Sequence, residues 1–291
     1  MKTLFIIEKK IVKQICILFF ITSFLGVKGQ QNIDPRTFNY SKADSIALHF
    51  PRKKYKSYTQ IVAPLIEHLN TDQEKARVLF RWITNNITYS YGNPTDNADK
   101  VIKEKRAVCA GYSALFKEMC NSAGIECEVI NGYSKSEISS INKRLKKIDH
   151  AWNALNLYGK WYLVDVTWAS SYYDDDKHRF IKAFDNFYWL TPPNYFVRDH
   201  FPEDEKWQLL SKPVKKSEFI KPFVYHSNYF EEKISNLLPA KGIIKIKMKD
   251  SLEIKFTTPL KIDSSAYAVI DFEHTKFAYF LTLKKMTVII L

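Results

Sequence analysis

The stretch Arg106-Ala107-Val108-Cys109-Ala110-Gly111-Tyr112-Ser113-Ala114-Leu115-Phe116 constrains this chain more than any other, because it sets a cysteine at the mouth of a helix. After Cys109, the residues Tyr112, Phe116, Met119 and Ala123 recur at helical spacing, and Gly124 suits the position just past a helix end. The pattern predicts a helix over 109–122. A thiol at such an N-terminus faces unsatisfied N–H groups and the positive end of the helix dipole. Both favour the thiolate, the form that attacks carbonyls, so Cys109 is a candidate nucleophile.

A nucleophile needs a base, and the base needs a group to orient it. Two later stretches offer these, Asp149-His150-Ala151-Trp152-Asn153-Ala154 and Tyr162-Leu163-Val164-Asp165-Val166-Thr167-Trp168. They lie in two aromatic and β-branched runs around Tyr158-Gly159-Lys160, which predicts a hairpin. Neighbouring strands run about 4.8 Å apart. A turn near Gly159 therefore carries His150 and Asp165 towards the same end of the pair.

Three stretches, Val108-Cys109-Ala110-Gly111-Tyr112-Ser113, His150-Ala151-Trp152-Asn153 and Asp165-Val166-Thr167-Trp168, occur in an order and spacing that resembles the transglutaminase-like superfamily, within it the kyphoscoliosis-peptidase-like branch. A weaker likeness runs through Phe187-Tyr188-Trp189-Leu190-Thr191-Pro192-Pro193 to His200-Phe201-Pro202-Glu203-Asp204 and Trp207-Gln208-Leu209-Leu210, so that it covers about 70–212. The resemblance implies an α+β fold with a papain-like core of helices packed on an antiparallel sheet. It also implies a Cys109-His150-Asp165 triad acting on protein or peptide amide bonds through a thioester, without a cofactor.

Each member of the triad has a structural alternative. Cys109 suits a small buried helix position, His150 a satisfied core histidine, and Asp165 a turn or cap. Trp82, Tyr112, Trp152, Asn153 and Trp168 are assigned to the cleft wall or to the side chains that support the triad, with Trp82 read as core or cleft and as a candidate second oxyanion donor beside the Cys109 N–H. His49, His68, His178, His200, His226 and His274 show no metal-ligand spacing, so no metal site is expected. Whether water or an amine resolves the thioester is left open, and with it the choice between crosslinking, deamidation and, as an alternative, peptide hydrolysis. A further alternative, from another class, is a non-catalytic cell-envelope binding protein.

At the N-terminus, Lys2, Lys9, Lys10 and Lys13 precede an uncharged apolar run over 14–27, with small residues following, the layout of a secretory signal peptide over 1–29. The run is shorter than the roughly 20 residues that span a bilayer, so a secreted or periplasmic protein without a stable membrane span is expected. Cleavage would remove five lysines and one glutamate and lower the formal charge from +13 to +9. The remaining charge is scattered rather than gathered into a stripe, which argues against nucleic acid. A basic exported surface suits an anionic cell-surface polymer or an acidic protein substrate, and a solvated surface with no specific partner is the simpler reading. Cys109, Cys120 and Cys127 would remain, an odd number that leaves at least one thiol free.

The domain reading is a signal peptide (1–29), an N-terminal helical cap (30–70), a transglutaminase-like catalytic domain (71–221) and a β-rich C-terminal domain (222–291). In the cap, 45–49 and 61–69 carry amphipathic spacing broken by Pro51 and by Pro64 near a helix start. Thr71-Asp72-Gln73-Glu74 is a capping box, followed by the apolar stripe Ala76, Leu79, Phe80 and Ile83 of a helix ending near Asn86. The lysine-rich stretch 134–147 reads as a surface loop or short exposed helix that makes the approach to His150 electropositive through Lys143, Arg144, Lys146 and Lys147. Asp174-Asp175-Asp176 lacks a calcium-loop pattern and reads as a solvated loop. Short β-like runs at 243–248, 252–256, 266–272 and 277–283, with an apolar end at 288–291, predict a small sandwich-like C-terminal domain.

Overall fold

The computed structural model describes residues 34–92, 95–136, 140–174, 177–222, 224–225, 227–231 and 233, and the strand segments 235–238, 251–257, 267–272, 275–280 and 286–289. The expected signal peptide and the run at 243–248 lie outside these residues. The chain forms two compact units, Met1–Phe38 and Asn39–Leu291. Of the first, the described part is a single 3-10 turn, Pro35–Thr37, whose N-cap Asp34 accepts a hydrogen bond from the Arg36 amide.

The second unit begins with helices α1 (Ser41–His49), α2 (Thr59–Ile66) and α3 (Asp72–Asn86). The expected capping box starts α3: the Thr71 hydroxyl accepts from the Glu74 amide at 3.3 Å and donates to the Glu74 carboxylate at 2.7 Å. The stripe Ala76, Leu79, Phe80 and Ile83 is fully buried. On another face of α3, buried Arg77 makes a two-pronged contact with Asp44 of α1, Nε to Oδ1 at 2.6 Å and Nη2 to Oδ2 at 2.8 Å. The sequence reading placed Pro64 near a helix start. In the structure α2 begins earlier, at Thr59, and Pro64 lies inside it. Its missing N–H falls in a helix so short that few internal bonds exist to lose.

A short strand β1 (Thr88–Tyr89) follows, then α4 (Ala98–Glu104), which the sequence reading did not anticipate, and β2 (Arg106–Ala107), parallel to β1. Helix α5 (Cys109–Ser122) starts at the expected cysteine. Gly111 is required there, because a Cβ would lie 2.8 Å from both the Ala107 Cβ and the Thr95 carbonyl oxygen. The helix stops as the sequence predicts. Gly124 takes φ +76°, its amide bonds the Asn121 carbonyl at 3.0 Å, and the Ile125 amide bonds Cys120 at 2.9 Å, which is a Schellman close.

The sheet that receives α5 contains β3 (Cys127–Ser134), β4 (His150–Leu157), β5 (Lys160–Val164) and, after the hairpin β6 (Ser171–Asp174)/β7 (Arg179–Lys182) and the one-turn helix α6 (Pro193–Phe196), β8 (His200–Pro202). All pairings are antiparallel, in the order β5-β4-β3-β8. The β4–β5 turn is the expected one, with Tyr158 and Gly159 both at positive φ. Of the acidic run expected to be a loop, Asp174 instead ends strand β6, opposite Arg179, with its carboxylate bonded to Lys177, while Asp175 and Asp176 lie outside the described residues.

Gly132 of β3 pairs with His150 on one side and with Pro202 on the other. A Cβ there would meet the Phe201 carbonyl oxygen at 2.3 Å and the Trp152 ring at 2.5 Å. Cys120 and Cys127 are buried free thiols. Burial, together with the neighbouring Cys127 sulfur, pushes the Cys120 thiol well above its ordinary value, which favours the protonated form.

In the stretch after β3, Lys143, Arg144, Lys146 and Lys147 are exposed, while Leu145 and Ile148 pack against the buried cluster Tyr133, Phe201 and Phe219. Helices α7 (Lys216–Phe219) and α8 (Ser227–Glu231) precede β9 (Ser235–Leu238), β10 (Ser251–Thr257), β11 (Tyr267–Phe272), β12 (Thr275–Phe280) and β13 (Met286–Ile289). Strand β10 pairs antiparallel with β13 and β9, and β11 with β12. Among the described residues no helix is long and apolar enough to cross a membrane.

Candidate active site

His150 opens β4, a strand buried along nearly its whole length, and Asp165 follows the last residue of β5. Their side chains meet as the hairpin predicts, with Nε2 of His150 2.7 Å from Oδ2 of Asp165. Because Asp165 engages Nε2, Nδ1 is the ring nitrogen left to face the thiol. The His150 side chain and the Ala151 backbone N–H are the groups that draw the Cys109 thiol towards its ionised form.

Burial alone would raise the thiol pKa. The hydrogen bond and charge of His150, with the Ala151 amide, outweigh it and bring Cys109 below its ordinary value. His150 shows the complementary balance: burial disfavours the imidazolium, but the Asp165 charge and hydrogen bond, aided by Cys109, raise its pKa to about 10. The two shifts run in the directions that favour a thiolate beside an imidazolium. Cys109 is half-buried, so the sulfur remains open to an incoming group.

Asp165 is fully buried, and burial alone would push its carboxyl up. The opposing pull of His150 and then His200 wins and holds it well below the usual carboxylate range. Both oxygens are occupied. Oδ1 accepts the Thr167 and Trp168 amides at 2.8 and 3.0 Å, and Oδ2 accepts from His150 and, at 2.9 Å, from Nε2 of His200. His200 was noted in the sequence as part of the weaker family likeness and as a histidine without metal-ligand spacing, with no role in the triad. It arrives on β8, across β3, a placement that no local pattern announces. Nδ1 of His200 lies 2.6 Å from Oδ1 of Asp199, so both of its ring nitrogens face carboxylates.

The other expected site residues divide by position. Trp168 is half-buried and covers both imidazoles, with ring centroids 5.3 Å from His150 and 4.4 Å from His200. Trp152 is fully buried, 6.0 Å from His150 and 5.1 Å from His200. Asn153 ties α5 to the sheet, its Nδ2 donating to the Ser113 carbonyl at 3.0 Å and the Glu128 carbonyl at 3.2 Å. The Tyr112 hydroxyl donates to the Ile87 carbonyl at 2.7 Å, fixing α5 against the segment after α3. Trp82 is buried on α3, and its carbonyl accepts from the Asn86 side chain.

Donor atoms of His150, Asp165 and His200 lie within 4.8 Å of one another, a spread that would admit a metal ion. The separations of 2.7 and 2.9 Å are, however, ordinary charge-assisted hydrogen bonds with a proton between the atoms. Hydrogen bonding accounts for each of these donor atoms without a metal.

The class defined here is an α+β domain in which a helix-borne thiol stands beside a buried imidazole–carboxylate pair on an antiparallel sheet. Residues 59–166, which include all three groups, match the family model described as the Transglutaminase-like superfamily, and the domain they form belongs to that superfamily. Human "Kyphoscoliosis peptidase" is 31% identical over 212 residues, 69% of this chain and 32% of that protein. Drosophila melanogaster "Hillarin" is 32% identical over 216 residues, 68% of this chain and 26% of that protein. The chain thus spans about a third or less of the length of these relatives. A solved TGase structure aligns over 58% of this chain and 41% of its own at 14% identity, with a TM-score of 0.31.

Proposed function

We propose that this protein is a transglutaminase-like thiol enzyme in which Cys109 is the nucleophile, His150 the proton carrier and Asp165 the group that orients it. The observation that carries the reading is the 2.7 Å bond from His150 Nε2 to a fully buried Asp165, which leaves Nδ1 for the Cys109 sulfur and favours the thiolate–imidazolium pair. The thiolate attacks the carbonyl carbon of a protein amide, and the carbonyl π electrons move onto oxygen. The Cys109 backbone N–H, at the start of α5, is suited to donate to that oxyanion. Collapse of the tetrahedral species breaks the C–N bond. The leaving nitrogen takes the proton from His150, and a thioester remains on Cys109.

Water or an amine then attacks the thioester, His150 receives its proton, and the thiolate departs. With an amine the outcome is crosslinking, and with water it is deamidation. Peptide hydrolysis on the same site is the second reading, favoured by the name of the human relative, a peptidase. The apolar leader supports a secreted or periplasmic location, with a protein or peptide as substrate and an anionic cell-surface polymer as a further partner. Incubation with a glutamine-containing peptide library, with and without an added primary amine, followed by mass spectrometry, tests the reading. Amine incorporation or a deamidation mass shift that disappears in Cys109→Ala is expected. An unchanged library under both conditions would refute it.

A further inference from the structure

The most unusual group outside the expected triad is a second imidazole on the same carboxylate oxygen. His200 is fully buried, stacked on Phe196 at 4.0 Å between centroids and covered by Trp168 at 4.4 Å. Its two nitrogens bridge Asp199 and Asp165, at 2.6 and 2.9 Å. The charged and titratable groups around it are these two carboxylates, His150, whose ring centroid is 5.3 Å away, and Tyr188, whose ring centroid is 6.2 Å away, with Lys135 acting on Asp199.

We propose that His200 is a positioning residue for the reaction: Asp199 fixes its tautomer so that Nε2 always carries a proton, and that N–H holds Oδ2 of Asp165 in place and keeps Asp165 ionised while His150 gains and loses its proton. The inference rests on the triad reading above. A buried carboxylate whose sole charged partner is a cycling base would lose its counter-charge whenever that base became neutral, and burying an unpaired carboxylate is costly. His200 removes that difficulty. Either state of the Asp199–His200 pair, ionised or with the proton resting on Asp199, leaves Nε2–H directed at Asp165. Sharing Oδ2 between two donors also moderates the hold of Asp165 on His150, which must release its proton to the leaving group.

Two substitutions separate the two ends of the ring. His200→Asn retains a donor near the position of Nδ1, towards Asp199, and loses the one to Asp165. His200→Gln retains a donor near the position of Nε2, towards Asp165, and loses the one to Asp199. In a Cys109→Ser background, the His150 titration followed by NMR of labelled histidine is expected to move up by at least about half a unit in His200→Asn, roughly a threefold rise in proton affinity. It is expected to stay within about a quarter unit in His200→Gln.

Equal shifts in the two variants, or no shift in His200→Asn, would overturn the proposal, since a merely structural histidine predicts no such asymmetry. Should either variant not fold, the 15N shift of His200 Nε2 in the parent decides: the proposal requires that nitrogen to stay protonated from about pH 5 to 9, and its deprotonation within that range would overturn it. Alkylation of Cys109 in the parent at mildly acidic pH tests the triad independently. Its absence would remove the enzyme reading, whereas an unmoved His150 beside a reactive Cys109 would remove only the role of His200.

Discussion

His150 and His200 donate to the same oxygen of Asp165 from strands that do not pair with each other. Strand β3 runs between them, pairing Gly132 with His150 on one side and Ser134 with His200 on the other.

Asp165→Asn should damage turnover and stability together. The amide has one acceptor oxygen where the carboxylate satisfies four N–H groups, so either the Thr167 and Trp168 amides or the two imidazoles must face an NH2. Turnover is expected to fall by on the order of 10³- to 10⁴-fold, as when a triad acid is replaced by its amide. Stability is expected to fall by about 3 kcal/mol, the cost of breaking a buried pair. Urea unfolding and single-turnover assays would measure both, and a change under tenfold in rate would contradict the role given to Asp165.

The thiolate–imidazolium pair has a signature in the pH dependence of stability. His150 is raised from 6.5 to about 10, so on its own it contributes stability that is complete below 6.5 and lost as pH rises through about 10. Cys109 is lowered from 9.0, so its contribution runs the other way, present above 9.0 and lost as pH falls through its folded value. Where the windows overlap below pH 9.0, folded and unfolded states hold the same number of protons on this pair, and the slopes cancel. Cys109→Ser removes the cancellation. The variant should lose stability relative to the parent as pH rises from the folded value of Cys109 to 9.0, after which the curves run parallel. Lys135 and Lys182, both brought down to about 8 chiefly by burial, drop out of the difference. Denaturant midpoints at a series of pH values give the comparison, and a flat difference would exclude the ion pair.

Gly132→Ala should destabilise by about 1–3 kcal/mol or more, since the new methyl meets backbone oxygen at 2.3 Å and an aromatic ring at 2.5 Å. Relief requires β8 to move outward, taking His200 with it. Slower Cys109 alkylation together with the lost stability is the expected result. A parent-like melting temperature would show that the packing around Gly132 is looser than described.

Asn153→Ala should cost about 1–3 kcal/mol, because the buried bond to the Ser113 carbonyl and the part-buried bond to the Glu128 carbonyl are lost. As one of those bonds fixes α5 on β4, alkylation of Cys109 should also slow. Thermal melts with parallel alkylation rates would check both, and lost stability with an unchanged rate would separate the clamp from the placement of the thiol.

Much of the site was legible in the sequence because its signals are local. The capping box at Thr71, the helix 109–122 with Gly124 past its end, and the hairpin at Gly159 each depend on a few neighbouring residues, and each forms as read. The hairpin then carries His150 to Asp165. His200 was not legible in its role, because β8 reaches β3 only after a long excursion through β6, β7 and α6, and three residues of strand carry no periodicity. Helix α4 escaped notice for a similar reason. It is seven residues long, with little beyond the Asn97 cap to announce it. Pro64 shows the opposite error, a strong local breaker tolerated because tertiary packing completes a short helix around it.

The base and its carboxylate are anchored in β4 and at the end of β5, in the part of the molecule where opening requires the whole domain to come apart. Natural variation can therefore rewrite the exposed lysines at 143–147 or the β6–β7 hairpin without touching the reaction centre. The choice of target can drift from one descendant to the next while the attacking group stays where it is.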